Sequence, residues 1–231
     1  MRQYLQEEVT MAEDMRNVAS TAGMSEFERG YAVPDCVVLD SAYCSMGRMV
    51  AVRACKASGW TYHDTTTLLE LVPEYGVTPD EVDAFELKSA APDADLAALR
   101  ESIEYQRIID AYRLATERAL AQGPCLIHDR VTKSFVQSLG KTCVSTMTYA
   151  SDRPAMRVRA KVSPLYASLT NDAELDAAIA FEDAHRRAWH ALADDGTTWG
   201  EPATYDLMIC TDLIGRDFAA QLLTQLMVGQ R

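Results

Sequence analysis

The chain has 231 residues and a formal net charge of -12; 48% of its residues are hydrophobic and 24% charged. That composition supports one substantial core and excludes a disordered chain. So acidic a surface argues against nucleic acid or an anionic membrane as the partner, but it is compatible with a small phosphorylated ligand, which a local group of Arg binds whatever the global sign. The six cysteines (36, 44, 55, 125, 143 and 210) include no C-x-x-C pair and no zinc-ligand spacing. They read as reduced thiols of a cytoplasmic protein. The opening MRQYLQEEVTMAEDM mixes charges and lacks the apolar stretch of a signal peptide. No run is apolar enough over a membrane-spanning length.

Residues 1–34 are polar, end at Pro34 and read as an N-terminal helix or arm outside the main domain, 35–231; the arm suggests a homodimer. DCVVLD reads as a buried strand near 36–40. MGRMVAVRACKASG follows as a helix that Gly59 ends. Trp60–His63 gives a second strand. From about 65 to 123 the pattern is helical: Thr78-Pro79-Asp80-Glu81 places N-cap, N1 and N3 residues in order. Leu99, Ile103, Ile108, Ile109, Tyr112 and Ala115 then keep a helical period until Gly123-Pro124. CLIHD gives a strand near 125–129 and TCVSTMTYA one near 143–149. A basic helix, 152–162, and a long helix opened by Asn171 and Glu174 come next. A strand near 205–210 and a helix over 216–228 close the chain. The fold class is therefore α/β, a five-stranded parallel sheet with helices on both faces. Ligands of such sheets bind beyond the C-terminal strand ends, which here are Ser41–Arg48, Asp64, Asp129–Arg130 and Thr211–Gly215.

The turn after the first strand, Ala42-Tyr43-Cys44-Ser45-Met46-Gly47-Arg48-Met49, stands where a G-x-x-x-x-G-K-[ST] phosphate loop would lie. Only Gly47 is unchanged. Arg48 supplies a cation in the Lys position, and Met49 replaces the hydroxyl that would hold Mg²⁺. Read alone, these residues favour an ordinary strand–helix turn.

Longer stretches add weight. Thr198–Gly215, TWGEPATYDLMICTDLIG, is similar to the W-G-[DE]-P … Y-D-L segment of the cytidylate kinase-like family. Asp183-Ala184-His185-Arg186-Arg187-Ala188 resembles its D-x-x-R-A stretch, and the loop shares Tyr43, Ser45, Gly47 and Arg48 with its Y-G-S-G-G-R-E. The resemblance spans roughly 36–228. Cys44 and Met46 replace two of that family's glycines, and Asp129-Arg130 looks like the D-R pair of thymidylate kinases.

The resemblance implies a P-loop kinase fold with a helical acceptor insert (about 65–123) and a lid (about 156–197). It implies transfer of the γ-phosphoryl group of ATP, with Mg²⁺, to CMP or a related small phosphorylated nucleotide. The donor would meet Tyr43, Cys44, Ser45, Met46, Gly47, Arg48 and Met49. Arg48, Arg130, Arg186 and Asp129 would be catalytic, and Asp64, Arg130, Arg153 and Arg157 would bind substrate. Each has a plainer reading: Asp64 as a helix cap, Asp129–Arg130 as a structural pair, the basic residues as a solvated face. Cys44, near a helix N-terminus, is expected to have a lowered pKa. No metal-ligand cluster stands out, and the altered loop keeps open a second role, a kinase-fold protein without turnover that senses a nucleotide or binds a partner.

Overall fold

The computed structural model describes residues 32–193 and 196–229; the expected arm lies, up to residue 31, outside them. Pro34–Val228 forms one compact unit. Its strands are β1 (Cys36–Ser41), β2 (Thr61–His63), β3 (Cys125–His128), β4 (Cys143–Tyr149) and β5 (Leu207–Cys210). Its helices are α1 (Gly47–Ser58), α2 (Thr65–Leu69), α3 (Pro79–Ser89), α4 (Leu96–Arg100), α5 (Ile103–Gln122), α6 (Lys133–Ser138), α7 (Arg153–Ala160), α8 (Asp172–Ala193), α9 (Thr211–Ile214) and α10 (Arg216–Val228). No helix among the described residues is long and apolar enough to cross a membrane.

The five strands pair in the order β2-β3-β1-β4-β5, every neighbour parallel. Successive β1 side chains face opposite sides, and both sides are covered. Cys36 and Val38 join a core with α2, α3, α5 and the end of α8; Val37 and Leu39 join one with α1 and α10. This explains why β1 is apolar at consecutive positions rather than alternating. Cys36 stands in register with Cys125 and Cys143 on its two neighbours, all three buried, where thiols pack as small hydrophobes.

The local signals worked as physical chemistry requires. Thr78 accepts from Glu81 N–H at 3.3 Å while Glu81 reaches back to Thr78 N–H at 2.9 Å. Asn171 Oδ1 caps α8 by accepting from Glu174 N–H at 2.8 Å. Gly59 ends α1 at φ 79°, a conformation that costs a side-chain-bearing residue about 1 kcal/mol. The helical stretch proves to be four separate α-helices with a short 3-10 turn, Pro73–Tyr75, between the first two. Ile103, counted in its apolar period, is 89% exposed, because Ser102 caps α5 immediately before it. Strands β2 and β5 begin one and two residues later than expected.

β1 is the topological switch: the chain leaves it toward β2 on one side, while β4 lies on the other and leads on to β5. The loop after β1 therefore opens at the crevice where such sheets take ligands.

Candidate active site

Four non-glycine residues among those described have positive φ: Cys44 (66°), Met46 (61°), Asp129 (63°) and Arg130 (65°). All four lie in two loops at the C-terminal sheet edge, after β1 and after β3. Backbone strain of this kind, about 1–3 kcal/mol per residue, persists where surrounding contacts enforce it, and such residues cluster at ligand sites.

The enforcing contacts are visible. Ala42 N–H donates to Thr148 O (2.9 Å), Ser45 N–H to Ala42 O (3.0 Å) and Tyr43 N–H to Asp183 Oδ1 (2.7 Å). Arg159 donates to Cys44 O at 2.5 Å and also pairs with Asp212. Beneath the loop a hydrogen-bonded chain crosses the sheet: Ser45 Oγ to Thr148 Oγ1 (3.0 Å), Thr148 to Ser41 Oγ (3.1 Å), Ser41 to His128 Nε2 (2.7 Å), and His128 Nδ1 to Tyr62 OH (3.0 Å). Burial lowers the His128 pKa, so the ring is neutral and both nitrogens are engaged. Ser41 N–H donates to Asp129 Oδ1 at 3.1 Å, which ties the two strained loops together.

Gly47 is required by this underlayer. A Cβ there would lie 1.8 Å from Ser41 Oγ and 2.5 Å from Thr148 Oγ1. Gly47→Ala should destabilise the fold by about 1–3 kcal/mol through overpacking, measured by urea unfolding. A wild-type midpoint would show that the loop can lift without cost.

The amides of Cys44, Met46, Gly47 and Arg48 donate to no protein group among the described residues. They lie at and just before the N-terminus of α1, where unpaired N–H groups and the helix dipole favour an anion. Above them lies a cavity of about 470 Å³ lined by Tyr43, Cys44, Met46, Gly47, Arg48 and Met49, and by Arg159, Arg186 and Arg216. Ser45 is fully buried below and does not line it. Burial pushes the Cys44 thiol up to about 11; the expected lowering fails because desolvation outweighs the helix end and the nearby Arg159.

Asp129 lines this cavity and two others. One, of about 270 Å³, adjoins Arg48, Tyr62, Asp64, Asp83 and Arg130. Arg48 is 74% exposed and reaches Asp64 at 3.2 Å. Asp64 is also the N-cap of α2, accepting from Thr67 N–H at 3.1 Å, as its helix-cap reading expects. The third cavity, about 10 Å³, lies among Asp40, Glu86, Asp129, Arg130, Arg186 and Trp199. Arg186 Nε and Trp199 Nε1 are buried without a partner, and the space admits about one water.

Arg130, read as a phosphate clamp, is already committed: Nε and Nη2 grip the buried Glu86 carboxylate at 2.5 and 2.8 Å. Burial pushes the Glu86 carboxyl up and Arg130 opposes it. Arg153 and Arg157, read as substrate ligands, turn instead to α8. Arg153 pairs with Asp176 at 2.9 Å, and Arg157 with Asp172 and Asp176 at 2.5 and 2.6 Å. Neither lines any of the cavities described here. Arg159, on another face of the same helix, and Arg216 take that place. Arg186 does reach the cleft, its guanidinium 5.7 Å from the Tyr43 ring centroid.

Neither a protein-family model nor a curated protein matches the chain. Solved structures do. An uncharacterized protein from Eubacterium ventriosum is similar at TM-score 0.59 and 14% identity, over 83% of this chain and 97% of that one. Shikimate kinase from Bacteroides thetaiotaomicron gives TM-score 0.48 at 10% identity, over 83% and 97%. A sugar kinase from Janibacter gives 0.44 at 10%, over 85% and 98%. The first of these supports the arrangement of strands and helices; at such identities nothing about activity transfers.

Several residues of the site escaped the sequence reading. Glu86 carried a signal: it sits on the same α3 face as Val82 and Phe85, both fully buried, and an acid on an apolar helix face needs a buried cation. Asp183 opens the Asp183–Arg186 stretch that was singled out for its Arg. Asp40, next to last in β1, carried none; its carboxyl accepts from Tyr205 OH at 2.7 Å.

Proposed function

We propose that the chain is a cytidylate kinase-like phosphotransferase, moving the γ-phosphoryl group of ATP to CMP or a related small phosphorylated nucleotide. The observation that carries this reading is the pair of strained loops, one presenting unpaired amides at a helix N-terminus and the other presenting Asp129 beside it. The phosphate chain fits: Arg48 and Arg186 would neutralise it, and the helix end contributes about 0.3–1 kcal/mol. Mg²⁺ does not fit the loop, since Met49 offers no oxygen and no group of three His, Cys, Asp or Glu among the described residues could hold an ion.

The acceptor would occupy the 270 Å³ cavity beside Tyr62, Asp64 and Arg48. Asp129, facing both cavities, would orient it, and Arg186 would spread charge from the transferring group. Catalysis is then positioning and charge neutralisation, without a covalent intermediate. A second reading, nucleotide binding without turnover, is favoured by the closed Arg130–Glu86 pair and by Met49.

A coupled phosphoryl-transfer assay across nucleoside monophosphates, with calorimetry of ATP and pyrophosphate with and without Mg²⁺, separates the two. Transfer to a pyrimidine monophosphate supports the enzyme. Binding without turnover, lost in Arg48→Ala, supports the sensor. Cys44→Gly with Met46→Gly should raise phosphate affinity, by letting the backbone approach the anion more closely. Failure of wild type and the glycine variant to bind any phosphate would sink both readings.

A further inference from the structure

A fourth cavity, of about 280 Å³, lies on the other side of Arg130, between α5, α6 and the end of α8. Tyr105, Trp189 and Phe135 give it flat apolar walls. Among the described residues, the charged groups that line it are Arg113 and Arg130. In a protein of net charge -12 that is unusual: each of the other three cavities described above includes at least one carboxylate among its lining residues.

Arg113 is exposed and has no carboxylate partner within ion-pair distance among the described residues. Its guanidinium stands 5.3 Å from the Phe135 ring centroid, which orients the cation while leaving its N–H groups for another acceptor. Thr132 and Ser134, hydroxyl to hydroxyl at 2.8 Å, add polar groups to the wall. Trp189 Nε1 donates to Arg130 O at 3.0 Å and fixes the indole as a wall.

We infer that this cavity is a binding site for a small organic anion: one aromatic ring, seated against Trp189, Tyr105 and Phe135, carrying one anionic group that pairs with Arg113. The volume suits a single ring with its substituent. The site is separate from the phosphate loop, but it shares Arg130, Thr132 and Trp189 with the 10 Å³ cavity beneath the cleft. An occupant would therefore rest against the back of the Arg130–Glu86 pair. The inference does not depend on phosphoryl transfer.

The test is calorimetry of the full chain with benzoate, with phenyl phosphate and, as the neutral control, with benzamide. Wild type should bind benzoate saturably at one site, with benzamide at least tenfold weaker. Arg113→Gln, at an exposed helix position, should weaken benzoate at least tenfold with an unchanged melting temperature. Arg48→Ala should leave benzoate binding as it is, even if it removes phosphate binding at the loop; phenyl phosphate reports on both sites at once. Absence of saturable benzoate binding up to millimolar concentration, equal binding of benzamide, or wild-type affinity in Arg113→Gln would each overturn the assignment.

Discussion

Glu86→Ala is expected to cost about 3–5 kcal/mol of stability, because it leaves the Arg130 guanidinium buried without its counter-ion. The pair is held at two points, 2.5 and 2.8 Å, with the Arg130 side chain 17% and the Glu86 side chain 4% exposed. The other acids in reach are farther away: Asp83 at 3.6 Å, two-thirds exposed, and Asp129 at 3.8 Å. Neither replaces a two-point contact. Removing both charges is a different matter. Glu86→Leu with Arg130→Met should be near neutral or stabilising, since a buried ion pair often adds no more than well-packed apolar side chains do. Trp189 would still be anchored, because it bonds the Arg130 carbonyl and not the side chain. Urea unfolding of the two variants measures the difference. A loss below about 1 kcal/mol in Glu86→Ala would mean that water reaches Arg130 and that the pair is open in solution.

The second large effect is a dependence on pH. Burial first, then the nearby Asp129, pushes the Asp40 carboxyl up to about 7. Tyr205, Arg186 and Arg130 pull the other way without prevailing, and His190 Nε2 stands 3.5 Å from the carboxylate. In the unfolded chain an Asp titrates near ~3.9. Between these values the folded state holds a proton that the unfolded state has released, so stability falls as pH rises. The contribution is complete below about 4 and gone above about 7. Three pH units of separation correspond to about 4 kcal/mol. Asp40→Asn should remove that slope. The comparison must be wild type against variant, because Asp64, Asp206 and Asp212 are held below the usual carboxylate range and add stability in the opposite sense over lower pH. Parallel stability profiles for the two proteins between pH 4 and 7 would show that Asp40 is ionised and solvated in the folded state.

Much of the fold was legible because its signals are local. A strand apolar at four consecutive positions, Cys36 to Leu39, a Thr-Pro-Asp-Glu start, an Asn171 cap and a terminal Gly59 each act within a few residues, so each marks an element whatever packs around it. The loop after β1 was legible for the same reason: a strand, a short turn with Gly47 and Arg48, then a helix. What could not be read was which groups the elements would bring together. Arg153, Arg157 and Arg159 lie on one short helix, and which of them faces the cleft depends on how α7 rotates against α8. Asp172 and Asp176 draw two of them away, and the third is left to hold the Cys44 carbonyl.

Composition, caps and apolar periodicity thus determined by themselves a five-stranded α/β domain and the edge of the sheet where its ligands belong. Only the tertiary structure decided that Arg130 is closed by Glu86, 44 residues earlier in the chain, that Asp40 is held near neutrality by burial, and that Cys44 and Met46 keep left-handed backbone without glycine. The reason is common to all three. Local hydrogen bonding and periodicity act over a few residues. Desolvation, charge pairing and the contacts that sustain backbone strain are set by neighbours that folding alone brings within a few ångströms.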